Sequence, residues 1–427
     1  MKKILIIILS VAITISLAVY AYIASDIHIP FIDNYSKNFS ENFSRFFQKN
    51  KNTNSAISDI DTITSPEPKP ESKPQQSPPE ANTQSNIEST KVSSSTDADL
   101  PMQFVLSSDP VALSNAASAK YARYNSGILC VLENSITLYD SVGSAKWVIP
   151  IQLSNPVIKT NGTYILVFEQ NGNKFAVFNN DKILFESEVP ERILNGNISS
   201  KGDSVIVTEK KYYKGATVVY NVDGQEIFSR SFGSEHVLSA AISDSRRLSV
   251  SLMSATPSTS SKIVFLDINK TETDISLHYE NSIIYDLDFS HNTLYAYADD
   301  KLITLNSNGR EISTYHYESK TLLHYQKDKS EIRILLFDNN NNSEMALISS
   351  GKLKRKISTD IIPDFCDIYN GYIIYNNERG LFLTNTSGDL LAYFSSSRDI
   401  KKAYFINSDN ILVVYNSSYE FLNISKK

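Results

Sequence analysis

The sequence predicts an all-β body of the β-propeller type, eight blades with seven as the alternative count, carried behind one transmembrane helix and a disordered linker. Three observations carry this expectation. From about residue 101, short runs of Val, Ile, Leu, Tyr and Phe alternate with Asn, Asp, Gly and Ser, with hardly any helical periodicity. Within that stretch a pair of strands around a tight polar turn recurs eight times, at a spacing of about 40 residues. Ahead of it lie one uncharged apolar run and a segment too polar to bury a core.

The apolar run is Ile4–Ala24, 21 positions without a charge. At 1.5 Å per helical residue it reaches about 30 Å, the thickness of a bilayer's hydrocarbon core. A cleaved signal peptide is the alternative, but its apolar region is usually only about 7–15 residues. Tyr22 also occupies a position where cleavage wants a small side chain, and no cysteine follows to carry a lipid. Residues 1–24 are therefore expected to remain as an anchor in the lipid bilayer through residues 4–24. Lys2 and Lys3 on the short side keep the N-terminus cytoplasmic, which places the rest of the chain outside the membrane.

Residues 25–47 follow, with Phe31, Tyr35, Phe39, Phe43 and Phe46 at helical spacing. This is either an aromatic-faced helix on the outer membrane surface or a weakly ordered juxtamembrane piece, since Asn and Ser are poor helix formers. Residues 48–100 are rich in Ser, Thr, Pro, Asn, Gln and Glu and carry six prolines between Pro66 and Pro79. The first glycine of the chain is Gly127. A proline-rich, glycine-free tether is stiff, with an upper reach on the order of 150 Å. Spacing a domain away from the membrane is the role this suggests.

Residues 101–427 hold the propeller. The paired strands are KYARYNSGILCVL, NPVIKTNGTYILVF, RILNGNISSKGDSVIVT, VLSAAISDSRRLSVSL, IIYDLDFSHNTLYAYA, LLHYQKDKSEIRILLF, FCDIYNGYIIY and KKAYFINSDNILVVY, with turns near Ser126, Gly162, Gly202, Ser245, His291, Asp328, Asn370 and Asp409. Four strands in about 40 residues is the period of a propeller blade. The outer half of each unit repeats as well. In four units a turn glycine (Gly143, Gly224, Gly309, Gly388) stands three residues after Asp140, Asn221, Asn306 or Asn385, as a short hairpin needing φ > 0 requires. The eighth unit ends after its third strand. The run at 101–106 (PMQFVL) is expected to supply the missing outer strand and remove an exposed edge.

The hairpins LYDSVGSAKWV and YNVDGQEIFSR resemble the outer strands of quinoprotein (PQQ-like) propeller repeats, with Trp147 and Phe228 four residues after their glycines. VLSAAISDSRRLSVSL resembles a WD40-type blade equally well. The layout of anchor, Pro/Ser linker and divergent propeller is similar to a family of membrane-anchored envelope proteins from Gram-positive anaerobes. That family carries no assigned activity, so the resemblance implies fold and an extracytoplasmic place in the cell envelope.

No catalytic set stands out. A net charge of −6 leaves no electrostatic footprint for a phosphate backbone, so nucleic acid is not an expected partner. Quinone cofactor binding would need a tryptophan at the channel, whereas Trp147, the single tryptophan, falls on an outer strand. Asp286, Asp288, Asp364 and Asp367 lie on or beside inner strands and could serve a glycosidase, although acids that cap strand ends read the same way. His28, His236, His278, His291, His316 and His324 form no metal-ligand spacing, and their scatter suggests surface or turn positions. Asp338–Glu344 reads as a solvated hairpin loop rather than a calcium loop. Cys130 and Cys366 lie on units that another blade separates in an eight-blade ring, so both are expected free and buried. The expected function is therefore a non-catalytic binding or scaffolding module for an envelope protein or glycan, without cofactor or metal. A carbohydrate-active enzyme using the four aspartates is the alternative.

Overall fold

The computed structural model describes residues 89–91, 100–256, 258–269, 275–328, 331–339 and 342–427. Their regular secondary structure is entirely β, and among them no helix is long and apolar enough to cross a membrane. The segments 1–24 and 25–47, and most of 48–100, lie outside the described residues.

Eight antiparallel sheets follow one another along the chain. Blade one spans 120–150, blade two 156–188, blade three 193–232, blade four 236–280, blade five 284–316, blade six 321–359 and blade seven 365–395. Blade eight takes three strands from 402–426 and its outermost from Met102–Leu106, which runs antiparallel to Ser418–Lys426. Each blade is a four-stranded meander, so its second and third strands are covered on both sides. Gly127–Val131, Ile165–Glu169 and Ser204–Thr208 are accordingly buried at every position. Outer strands alternate instead, as in Ile275–Glu280.

The apolar core lies between blades rather than within them. Buried clusters join blades one and two, two and three, and so on around the chain. A further cluster joins Cys130 and Ile128 of blade one to Tyr404, Leu412 and Phe421 of blade eight. The array thus closes into a ring of eight blades. No blade can bury its faces alone, so the ring is the unit of stability.

The third-to-fourth strand turns explain the repeated sequence signal. Asp140 Oδ1 accepts from the backbone N–H of Val142 (3.0 Å) and Ser144 (2.9 Å), and Asn221 Oδ1 does the same for Asp223 (3.0 Å) and Gln225 (2.9 Å). Asn306 and Asn385 repeat the pattern. Gly143 follows at φ 93° and Gly224 at φ 80°. At both, a Cβ would also strike an aromatic ring of the preceding blade around the ring, Phe421 at 2.6 Å and Phe185 at 2.7 Å. Only glycine meets the turn and the packing together.

Within each blade the first and third strands run the same way. First-to-second and third-to-fourth turns therefore share one face of the disc, here the turn face. The remaining connections share the opposite one, the loop face.

Candidate functional site

On the turn face, neighbouring blades are stitched together. Asn125 Nδ2 donates to Asn180 Oδ1 (2.9 Å), and Asn161 Nδ2 to the Ser199 carbonyl. Ser200 donates through its N–H (3.1 Å) and hydroxyl (2.6 Å) to Asp244, which also meets His291 Nδ1 at 3.1 Å. Ser245 reaches Asn292, Asp328 accepts from the N–H of Asn370, and Asn370 reaches Ser408. A surface cleft between blades three and four is lined by Lys201, Asp203, Asp244, Ser245 and Arg246. The Arg246 guanidinium grips Asp203 with two bonds, 2.9 and 3.0 Å. Burial would raise the Asp244 carboxyl, but the Ser200 bonds and His291 outweigh it and hold it low. These groups are engaged with one another across blade boundaries.

The centre of the ring is equally occupied. Asp288 of blade five binds Lys327 Nζ at 3.0 Å and Arg333 Nη2 at 2.7 Å, both of blade six. Arg333 is fully buried, with Tyr297 Oη at 3.1 Å, Glu331 at 3.2 Å and the Tyr295 ring 3.3 Å from its guanidinium carbon. Burial pushes the Asp288 carboxyl up, yet Lys327 and Arg333 reverse this and leave it below its ordinary value. Asp286 accepts from Ser239 of blade four (3.0 Å) and from the Tyr325 hydroxyl of blade six, with Lys159 of blade two at 3.8 Å. Asp367 accepts from Arg123 Nη1 (3.3 Å) and the Phe405 N–H (2.9 Å). Arg123 itself reaches the carbonyls of Ile368 (2.8 Å) and Lys327 (2.9 Å), spanning from blade one to blades seven and six. Burial raises the Asp367 carboxyl, with Arg123 opposing.

Three of the four sequence-predicted aspartates thus sit on inner strands, and each meets a base and donors from other blades. Asp364 stands ahead of its strand, bonded through its N–H to the Asn376 carbonyl at 2.8 Å; burial raises its carboxyl, against Lys401. A general acid needs a proton available near working pH, and a carboxylate held down by two cations lacks one. Asp288 is a structural counter-ion to Arg333.

The other candidates fall as follows. Trp147 lies half-buried on the outer strand Ala145–Pro150, packed against the core between blades one and two. Cys130 and Cys366 are free and buried; burial raises the Cys130 thiol to about 11, with Tyr121 opposing, and also raises Cys366. Among the described residues no three His, Cys, Asp or Glu side chains gather as a metal site. Asp338 and Ser343 pair across the blade-six hairpin, and Glu344 binds Lys320 at 2.8 Å. One expectation is corrected. His324 is neither at the surface nor in a turn, but buried on the inner strand Thr321–Lys327 against Phe365. Burial, aided by Lys402, pushes it down to about 3. The side chain is neutral because an inner strand turns alternate residues into the blade interface.

The loop face carries two exposed tyrosines. Between the second and third strands of blade three, Lys210–Lys214 projects two tyrosines, Tyr212 89% exposed and Tyr213 51%. Tyr212 stands at φ 68°, a left-handed conformation that a bulky aromatic rarely adopts. The loop is tied by the Tyr213 N–H to the Lys210 carbonyl (2.9 Å) and the Lys214 N–H to the Phe232 carbonyl (2.7 Å). Lys211 Nζ lies 5.1 Å from the Tyr212 ring centroid. Lys210 is matched with Glu191 at 3.5 Å, whereas Lys211 and Lys214 are exposed. Ile362, half exposed between blades six and seven, stands on the same face. Sequence reasoning passed over this loop; the run KKYYK between two strands was the available signal.

Comparison with known proteins adds the following. The model of a family of unknown function, DUF5711, matches residues 106–424. Among curated proteins none matches the chain. Among solved structures, the C-terminal WD40 domain of Sif2 is 14% identical, with 74% of this chain and 97% of that one covered and a TM-score of 0.50. The computationally designed Ika8 protein is 12% identical, with 74% and 98% covered and a TM-score of 0.51. BamB from Moraxella catarrhalis is 12% identical, with 75% and 99% covered and a TM-score of 0.48. Likeness at such identities concerns the propeller fold alone.

Proposed function

The chain belongs to DUF5711, a family of unknown function, and from that premise we propose that its propeller is a non-catalytic binding module that presents the loop face to an envelope protein. The observation that carries this reading is the contrast between the faces. Several turn-face side chains, among them Asn125, Ser200, Asp244 and Asn370, and the central charges are engaged in contacts between blades. The loop face holds Tyr212 and Tyr213 out in solvent, beside Lys211 and Lys214, on a strained turn. Exposed aromatics on a rigid scaffold are what a binding surface needs, and strain concentrates at functional sites. Residue 100 precedes Met102–Leu106, whose start lies at the turn face beside Lys426. A tether entering there leaves the loop face directed away from it. With Ile4–Ala24 as a retained membrane anchor and the linker as spacer, the loop face would look outward into the envelope.

The test is in-cell photocrosslinking from a reactive residue at Tyr212, against one at Gly162 on the turn face. One envelope protein enriched from position 212 alone, and lost in Tyr213→Ser carrying the same probe, supports the reading. Equal capture from both positions, or none, sinks it. The second reading, a glycan-acting enzyme, rests on Asp367, whose carboxyl burial raises. It requires turnover of wall polysaccharide that Asp367→Asn abolishes while the fold persists.

A further inference from the structure

Two described strands stand outside the eight-blade repeat: Val111–Ala112, which pairs with Ser418 and Tyr419 of blade eight, and Ser89–Lys91. Ser89–Lys91 lies parallel against Lys352–Thr359, the outer strand of blade six, in the register Ser89 to Lys356, Thr90 to Ile357 and Lys91 to Ser358. The sheet order places it as a fifth strand beyond the blade's own four. Parallel pairing cannot arise from a hairpin, so this contact is made by a segment distant in sequence. The acceptor is unusual too. Lys352–Thr359 carries Lys352, Lys354, Arg355 and Lys356, whereas each of the other described outer strands holds at most one Lys or Arg. Lys356 is committed to Glu318 at 2.9 Å, while Lys352 and Lys354 are exposed.

Lysines on an edge strand ordinarily repel another strand. Here the edge is taken by Ser89–Lys91. Residues 80–100 carry Glu80, Glu88, Asp97 and Asp99 against Lys91 alone. In sequence the linker on either side of Ser89–Lys91 is acidic while the edge is basic, a complementarity that favours this edge over the others and suits strand addition. We propose that the outer edge of blade six is a strand-acceptor site for an acidic extended segment, and that its occupant is the chain's own linker around Ser89–Lys91. The nine steps from Lys91 to Leu100 span at most about 30 Å when extended. Docking there shortens the free tether and fixes which way the disc faces. None of this depends on the binding function proposed above.

The experiment uses the full chain with two pairs of introduced cysteines, Lys91→Cys with Ser358→Cys and Lys91→Cys with Ser395→Cys on the outer strand of blade seven. Both native thiols are buried and remain silent. Under mild oxidation the first pair is expected to lock at least several-fold more than the second, and to lose that advantage as salt rises from about 0.05 to 0.5 M. Lys352→Glu with Lys354→Glu in the first background should lower trapping several-fold at low salt. Equal trapping of both pairs, or trapping that ignores salt and charge reversal, overturns the proposal. As a second readout, Thr90→Pro should speed amide exchange across Lys352–Thr359; unchanged exchange also overturns it.

Discussion

Replacing Asp288 by alanine should destabilise the whole ring, because it strands a buried cation. Arg333 is 0% exposed, and Asp288, at 2.7 Å, is the nearer of its two carboxylate partners. The other, Glu331, is 39% exposed and 3.2 Å away, so it compensates only in part. Breaking a buried pair from one side costs about 3–5 kcal/mol. Asp288 is itself 24% exposed, and Tyr297 and the Tyr295 ring stay in place, so we take the lower end, about 3 kcal/mol. For roughly 320 residues at about 2.1 cal/mol/K each, the unfolding entropy is near 0.7 kcal/mol/K, and Tm should fall by about 4–5 °C. The assay is thermal unfolding by circular dichroism within a double-mutant cycle. Arg333→Met in the Asp288→Ala background removes the stranded charge and should restore most of the loss, a coupling of about 2 kcal/mol. The pH dependence has a fixed sign. The folded carboxyl is held below its ordinary 3.8, so this contribution is present above that value and disappears as pH falls through the folded one. A Tm change within about 1 °C, or strict additivity of the two substitutions, would refute the argument that Asp288 is a counter-ion.

Three further outcomes follow from the same structure. His324, pushed from 6.5 down to about 3, stays neutral when folded and takes a proton when unfolded, so stability should decline from pH 6.5 towards 3. The slope approaches about 1.4 kcal/mol per pH unit; denaturant titrations of the wild type and His324→Phe measure it, and an identical slope in both contradicts the assignment. Gly143→Ala places a Cβ at φ 93° and 2.6 Å from Phe421, whereas Gly162→Ala at φ 91° meets nothing within 4 Å. The first should lose about 2–4 kcal/mol and the second about 1, by chemical denaturation, and equal losses would remove the packing explanation. Cys130 and Cys366 should stay unlabelled by a thiol reagent until the ring opens, with labelling at the global unfolding rate; prompt native labelling of either would show the blade interface to be open.

The blade count was legible because it is written locally. Each turn is a short-range device, such as Asp140 accepting from residues two and four ahead, and it recurs at one period. Strands buried on both faces leave unbroken apolar runs such as GILCV and ILVFE, which no half-exposed strand would show. Histidine 324 was misplaced for the complementary reason. Its environment comes from Phe365 of the next blade, and nothing in the residues around it in sequence reports that neighbour.

The candidate site was less legible because what decides it is non-local. Arg123 and Asp367 lie 244 residues apart, and Arg333 and Asp288 45 apart on different blades. In sequence the aspartates look like unattached acids near inner strands, which is the pattern of a glycosidase. Only the ring reveals that Asp286, Asp288 and Asp367 each already meet a base from another blade. The binding reading then rests on telling the two faces apart by what is left over. On the turn face many polar side chains bond to neighbouring blades or within their own turns. On the loop face two tyrosines and two lysines are held out on a turn that closes from the Lys210 carbonyl to the Tyr213 N–H with Tyr212 at φ 68°. On the binding reading proposed above, it is the exposure of Tyr212 and Tyr213 together, at 89% and 51%, that marks the working surface in place of the matched acids.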